Sequence, residues 1–99
     1  QMEGGILMGI SSVLYEQITI VDGAIQQSNF NDYRILRMQD VPESVETEMI
    51  ASSAHPQGVG ESGTPLVACA IANAFLKLTG KPLRHLPFTP ERVLQVLQA

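Results

Sequence analysis

Glu61 stands in the stretch HPQGVGESGTP, which runs from His55 to Pro65 and sets one carboxylate among three glycines and two prolines. Gly58, Gly60 and Gly63 admit backbone angles barred to other residues and let a ligand reach the main chain without meeting a Cβ. Thr64 is placed to cap a helix whose first position is Pro65, where a missing N–H costs nothing. That puts Glu61 just ahead of a helix N-terminus, where unpaired N–H groups and the dipole favour negative charge. An ionised carboxylate on a tight turn, with small neighbours and open access, suits a general base. The neighbouring N–H groups suit an anionic ligand. The plainer alternative is that Glu61 complements the helix dipole, for about 0.3–1 kcal/mol.

Other chemistry-bearing residues point less sharply. The loop lacks the Gly-Lys-Ser/Thr ending of a phosphate-binding Walker loop and the glycine spacing of a dinucleotide fingerprint. His55 and His85 have no partners at metal-ligand spacing and read as exposed loop residues. Ser62 has no histidine at a recognisable offset for a nucleophile. Cys69 falls among alanines and isoleucine and reads as a small buried hydrophobe. Glu43, Glu46 and Glu48 read as a solvated acidic face.

These residues need elements to hold them. From Glu3 to Tyr15, Ile6, Leu7, Ile10, Val13 and Leu14 recur at helical intervals, which predicts an amphipathic helix. Gly5 and Gly9 share one face of it, and each costs about 0.5–1 kcal/mol relative to alanine. Such a face lets another backbone or a ligand come close, and close packing on a sheet is the structural alternative. Gln17 to Val21 and Ala24 to Gln27 flank Asp22-Gly23, the signature of a type I′ hairpin. Asn29, Asn31 and Asp32 mark an irregular loop. Tyr33 to Met38 fits a short strand, Pro42 marks a turn, and Val45 to Ile50 alternates as a half-exposed strand. Beyond the glycine loop, Val67, Ile71, Ala74, Phe75 and Leu78 form the apolar stripe of a helix, with Lys77 in its last turn and Gly80 at its αL stop. Thr89-Pro90-Glu91 opens a last short helix. The order of helix, hairpin, further strands, helix and short helix predicts an α+β arrangement in a single domain.

Composition narrows the function. The 99 residues suffice for one small domain, and 16% charged residues exclude a disordered tail. A net charge of −4 with scattered basic residues argues against a nucleic-acid binder. The single cysteine excludes an internal disulfide and a thiolate zinc cluster. No apolar run is long enough for a transmembrane helix, and no signal peptide is visible. The compartment stays open. The chain opens on Gln1 without an initiator methionine, as expected of a piece of something longer or of a start at Met2.

Three motifs, QMEGGILMGISSVLYE, QSNFNDYRILRM and GVGESGTP, taken in this order, resemble the C-terminal part of the molybdopterin-binding large subunit of the xanthine dehydrogenase and aldehyde oxidase family. The likeness is strongest to the isoquinoline-oxidoreductase-type beta subunits. It implies that the chain is the C-terminal portion of a larger molybdenum-binding domain. It implies Glu61 as the catalytic base beside the metal and Gln1 as a hydrogen-bond partner of the cofactor. It places the backbone of Gly58, Val59 and Gly60 near that cofactor, a molybdopterin cytosine dinucleotide or related molybdenum cofactor. It implies an oxidoreductase that hydroxylates N-heteroaromatics or aldehydes, with an iron–sulfur small subunit as partner. The family usually has proline after the glutamate, where this chain has Ser62, so the turn is looser than the pattern. On this reading the 99 residues alone turn nothing over. The alternative is a non-catalytic small fold that self-associates or docks to a partner.

Overall fold

The computed structural model describes residues 1–99. Its first helix, α1, spans Met2–Leu14 and turns Gly5, Gly9, Ile10, Ser11 and Val13 inward. A hairpin follows, with β1 at Ile20–Val21 paired antiparallel to β2 at Ala24–Ile25 in the register Ile20 to Ile25 and Val21 to Ala24. Asp22 and Gly23 at its tip have φ of 50° and 77°, as a type I′ turn requires. The hairpin is shorter than the sequence predicts, although the Gln26 N–H still reaches the Thr19 carbonyl at 2.9 Å. A single 3₁₀ turn follows at Met38–Asp40. Another at Thr64–Leu66 leads into α2, Val67–Thr79, and the last helix, α3, spans Pro90–Gln98.

The two further strands predicted at Tyr33–Met38 and Val45–Ile50 do not form; β1 and β2 make up the whole sheet. A strand exists when a neighbour takes its N–H and C=O groups, and no segment of this chain pairs with either stretch. The α+β class holds with one small hairpin as its β part.

Ile10, Val13, Val67, Leu83 and Phe88 form the core where α1, α2 and the connector before α3 meet. Ile6, Phe75, Val93 and Val96 pack around it. Hydrogen bonds fasten the irregular segments to α1. Phe88 N–H donates to the Val13 carbonyl at 2.7 Å, and Leu36 N–H donates to Ser11 Oγ at 2.9 Å. The second bond satisfies a hydroxyl whose burial would otherwise cost stability. Gly80 closes α2 with φ 72°, donating to the Leu76 carbonyl. Thr89 caps α3 by accepting from Arg92 N–H.

Three face assignments on α2 are corrected. Leu78 is 85% exposed, Ala74 is exposed, and Cys69 is exposed rather than buried. The helix packs along one flank through Val67, Ala68, Ile71, Ala72 and Phe75. The whole chain is spread out. Its radius of gyration is 16.4 Å, where a compact domain of this length has about 13 Å. No helix is long and apolar enough to cross a membrane.

Candidate functional site

The start of α1 and the glycine loop meet side by side. The Gly60 carbonyl oxygen lies 2.7 Å from the point a Cβ on Gly5 would occupy, so the loop backbone rests directly on the helix. The shared face of Gly5 and Gly9 therefore admits another backbone, as the glycine spacing suggested. The contact is with a loop and a helix rather than a sheet. Gln1, the residue preceding α1, has its Oε1 3.4 Å from the position of a Cβ on Gly60. The two motifs, far apart in the chain, are thus neighbours.

Glu61 follows Gly60 at the exposed rim of this junction. Its carbonyl accepts from Thr64 N–H at 3.2 Å, closing a turn that opens the 3₁₀ segment. The ion pair of the chain, Arg34 with Asp40 at 3.1 Å, lies elsewhere. The side chain of Glu61 is therefore open to solvent and not sealed in the core.

The predicted local chemistry of the loop differs from the structure in two ways. Thr64 does not cap with its side chain; its hydroxyl donates to the Gly5 carbonyl at 2.9 Å. Gly63 takes the N-cap place, with φ −84°. None of Gly58, Gly60 and Gly63 has a positive φ, so the glycines do not serve unusual backbone angles here. Gly63 serves proximity. A Cβ on Gly63 would lie 2.8 Å from Ile6 Cγ1, and around Gly58 nothing stands within 4 Å of such a Cβ.

Beside the junction a cleft of about 390 Å³ is lined by Gln1, Met2, Glu3, Thr47, Met49 and Val59. Thr47 and Met49 were not singled out in the sequence, which offers no sign that an extended segment returns to Gln1. His55, His85 and Ser62 are exposed, as are Glu43, Glu46 and Glu48. No three of the His, Cys, Asp and Glu side chains gather as metal ligands.

A family model described as a molybdopterin cofactor-binding domain matches residues 1–42. Over 98 residues the chain is 44% identical to a membrane-bound aldehyde dehydrogenase (pyrroloquinoline-quinone) of Gluconacetobacter polyoxogenes, covering 99% of this chain and 12% of that protein. It is 42% identical over 90 residues to isoquinoline 1-oxidoreductase subunit beta of Brevundimonas diminuta, covering 91% of this chain and 11% of the relative. The chain belongs to the xanthine dehydrogenase and aldehyde oxidase family of molybdenum-binding subunits. A solved member, quinoline 2-oxidoreductase from Pseudomonas putida 86, superposes with a TM-score of 0.76 at 28% identity, covering 98% of this chain and 13% of that one. In this family the present chain corresponds to about an eighth of the subunit, as the 12% coverage states.

The residues present suit one wall of a cofactor site. A planar, polar group laid on the junction would meet the Gln1 amide and the bare backbone around Gly58, where no side chain intrudes. An amide offers both donors and an acceptor, the complement of a pterin edge.

Proposed function

We propose that this chain forms one wall of the molybdenum site of a hydroxylase acting on aldehydes or N-heteroaromatic compounds, with Glu61 as its general base. One observation carries the reading: Gln1 Oε1 lies 3.4 Å from where a Cβ on Gly60 would stand, which brings a hydrogen-bonding amide to the residue next to the exposed Glu61. The names of the relatives support the substrate class, since they include an aldehyde dehydrogenase and an isoquinoline oxidoreductase.

In this reading Gln1 would hold the cofactor through its amide, and the backbone of Gly58, Val59 and Gly60 would line it. When bound, the molybdenum cofactor supplies the two-electron redox chemistry of hydroxylation. The cytosine dinucleotide form suits the likeness to the isoquinoline branch. Glu61 accepts a proton on a carboxylate oxygen during the hydroxylation step and returns it to solvent through its exposed rim. The loop around it has no bulky side chain on the approach, which leaves room for a flat substrate.

The chain is the C-terminal portion of a molybdopterin-binding domain in this proposal, and the rest of the subunit completes the site. Its burial supports that. Only 10 of 99 residues are buried and no large side chain is fully enclosed, too little to offset the ordering entropy of about 1–2 kcal/mol per residue. An iron–sulfur small subunit takes the electrons in the whole enzyme. The exposed apolar faces that would favour a self-associating small fold are equally the faces a larger subunit covers.

The test is Glu61→Gln in the intact enzyme that carries this segment. Turnover disappears while molybdenum and pterin content stay at the parent level. Near-parental turnover would remove Glu61 from the role of base.

A further inference from the structure

Three hydrogen bonds connect the backbone of Gln1 to that of Glu61. The Gln1 carbonyl accepts from Gly5 N–H at 3.0 Å. The Gly5 carbonyl accepts from Thr64 Oγ1 at 2.9 Å. Thr64 N–H in turn donates to the Glu61 carbonyl at 3.2 Å. On the loop side, Thr64 is the residue that joins the two motifs, with its hydroxyl on the helix and its amide on the loop.

We propose that Thr64 is a positioning residue for Glu61, holding the glycine loop against the first turn of α1 so that carboxylate and Gln1 amide keep one spacing. The inference rests on the proposed role of Glu61 as base. Its support is geometric. The hydroxyl gives up the helix cap that its place beside Pro65 suggests and goes to a helical carbonyl instead. That carbonyl has a second lone pair to offer beyond the helix ladder. The approach it enforces is already at contact, with Gly60 O 2.7 Å from the missing Cβ of Gly5. The same Cβ would lie 3.4 Å from Thr64 Oγ1. The loop therefore slides or lifts only if the Thr64 bond opens. A base displaced by about 1 Å loses up to roughly a hundredfold in rate, which makes this one bond consequential.

The experiment compares Thr64→Val and Thr64→Ser in the intact enzyme. Valine keeps the branched shape and removes the hydroxyl; serine keeps the hydroxyl and loses the methyl. In Thr64→Val, kcat falls by about 10- to 100-fold while KM and molybdenum content stay near parental values. Hydrogen exchange of the peptide spanning residues 58–63, read on cofactor-free protein, speeds up by about 3- to 10-fold. Thr64→Ser restores both. Parental kcat and parental loop exchange in Thr64→Val would overturn the proposal. So would a serine variant as impaired as valine, which would make packing the cause, or loss of folded protein in the valine variant alone, which would make the hydroxyl a folding determinant. Loop exchange does not depend on what Glu61 does. Near-parental turnover in Glu61→Gln beside faster loop exchange in Thr64→Val would sink the base assignment, whereas unchanged exchange sinks the positioning role.

Discussion

Val67 Cγ2 lies 2.6 Å from the point that a Cβ on Gly9 would occupy, and the Thr64 carbonyl lies 2.7 Å from the same point. Helix α1 and the start of α2 thus touch through a position that has no side chain.

Gly9→Ala sets two effects against each other. Alanine in a helix interior gains about 1 kcal/mol in propensity, while forcing a methyl into a filled contact costs typically about 1–3 kcal/mol. One of the two clashing atoms is backbone, which cannot rotate away, so the clash wins. The variant subunit melts at a lower temperature than the parent. A higher melting temperature would show that α1 and α2 separate freely.

Asp32 organises the loop after the hairpin. Its carboxylate accepts from Asn29 N–H at 2.9 Å, from Ser28 N–H at 2.9 Å and from Ser28 Oγ at 2.9 Å. The backbone bond from Asn29, then those from Ser28, hold its pKa below the ordinary aspartate value. A folded-state pKa below the unfolded one gives stability that is present above the ordinary value and lost as pH falls through the folded one. Asp32→Asn therefore speeds hydrogen exchange at residues 28–33 at neutral pH, and the difference from the parent shrinks in acid. An equal difference at every pH would contradict this.

Tyr33 behaves in the opposite sense. Its phenol donates to Glu16 Oε2 at 2.8 Å, and that bond, followed by desolvation and the carboxylate charge, raises its pKa. The contribution to stability is complete below the ordinary phenol value and disappears as pH rises through the folded one. An ultraviolet titration difference between the parent subunit and Tyr33→Phe should show one phenol ionising above the ordinary tyrosine range.

Thr89 caps α3, and the backbone N–H of Glu91, followed by the Thr89 side chain, keeps the Glu91 carboxyl below its usual pKa. Thr89→Ala costs about 1 kcal/mol and Thr89→Ser much less. Hydrogen exchange over residues 90–98 reports both; equal exchange in the two variants would place the stabilisation elsewhere.

What the sequence disclosed tracks the range of the forces involved. The Asp22-Gly23 turn, the Gly80 stop and the Thr89-Pro90 start are settled by bonds within a few residues, and each formed where its chemistry indicated. The alternation at Val45–Ile50 was a true feature with no structural outcome in this chain, because a strand needs a partner that a local pattern cannot supply. Thr64 had two uses for one hydroxyl, a cap or a bridge, and the choice depended on Gly5, a residue distant in sequence. Leu78 belongs to the predicted apolar stripe yet is exposed, because periodicity marks an apolar face without saying how wide its contact is, and apolar neighbours in sequence did not make Cys69 buried. At the site, Gly5 and Gly9 signalled a close approach, but the meeting of Gln1 with Gly60 is a tertiary fact. The motif resemblance supplied the family, and the fold supplied the adjacency.

The hairpin carries a consequence for handling the protein. Ile18, Ile20, Val21 and Ile25 are all exposed on a two-stranded ribbon whose outer rows of amide and carbonyl groups have no covering strand. Such bare margins recruit like margins from other molecules. Expressed by itself, this segment would collect in inclusion bodies, and a lysine written into the ribbon's outer row should raise the soluble share.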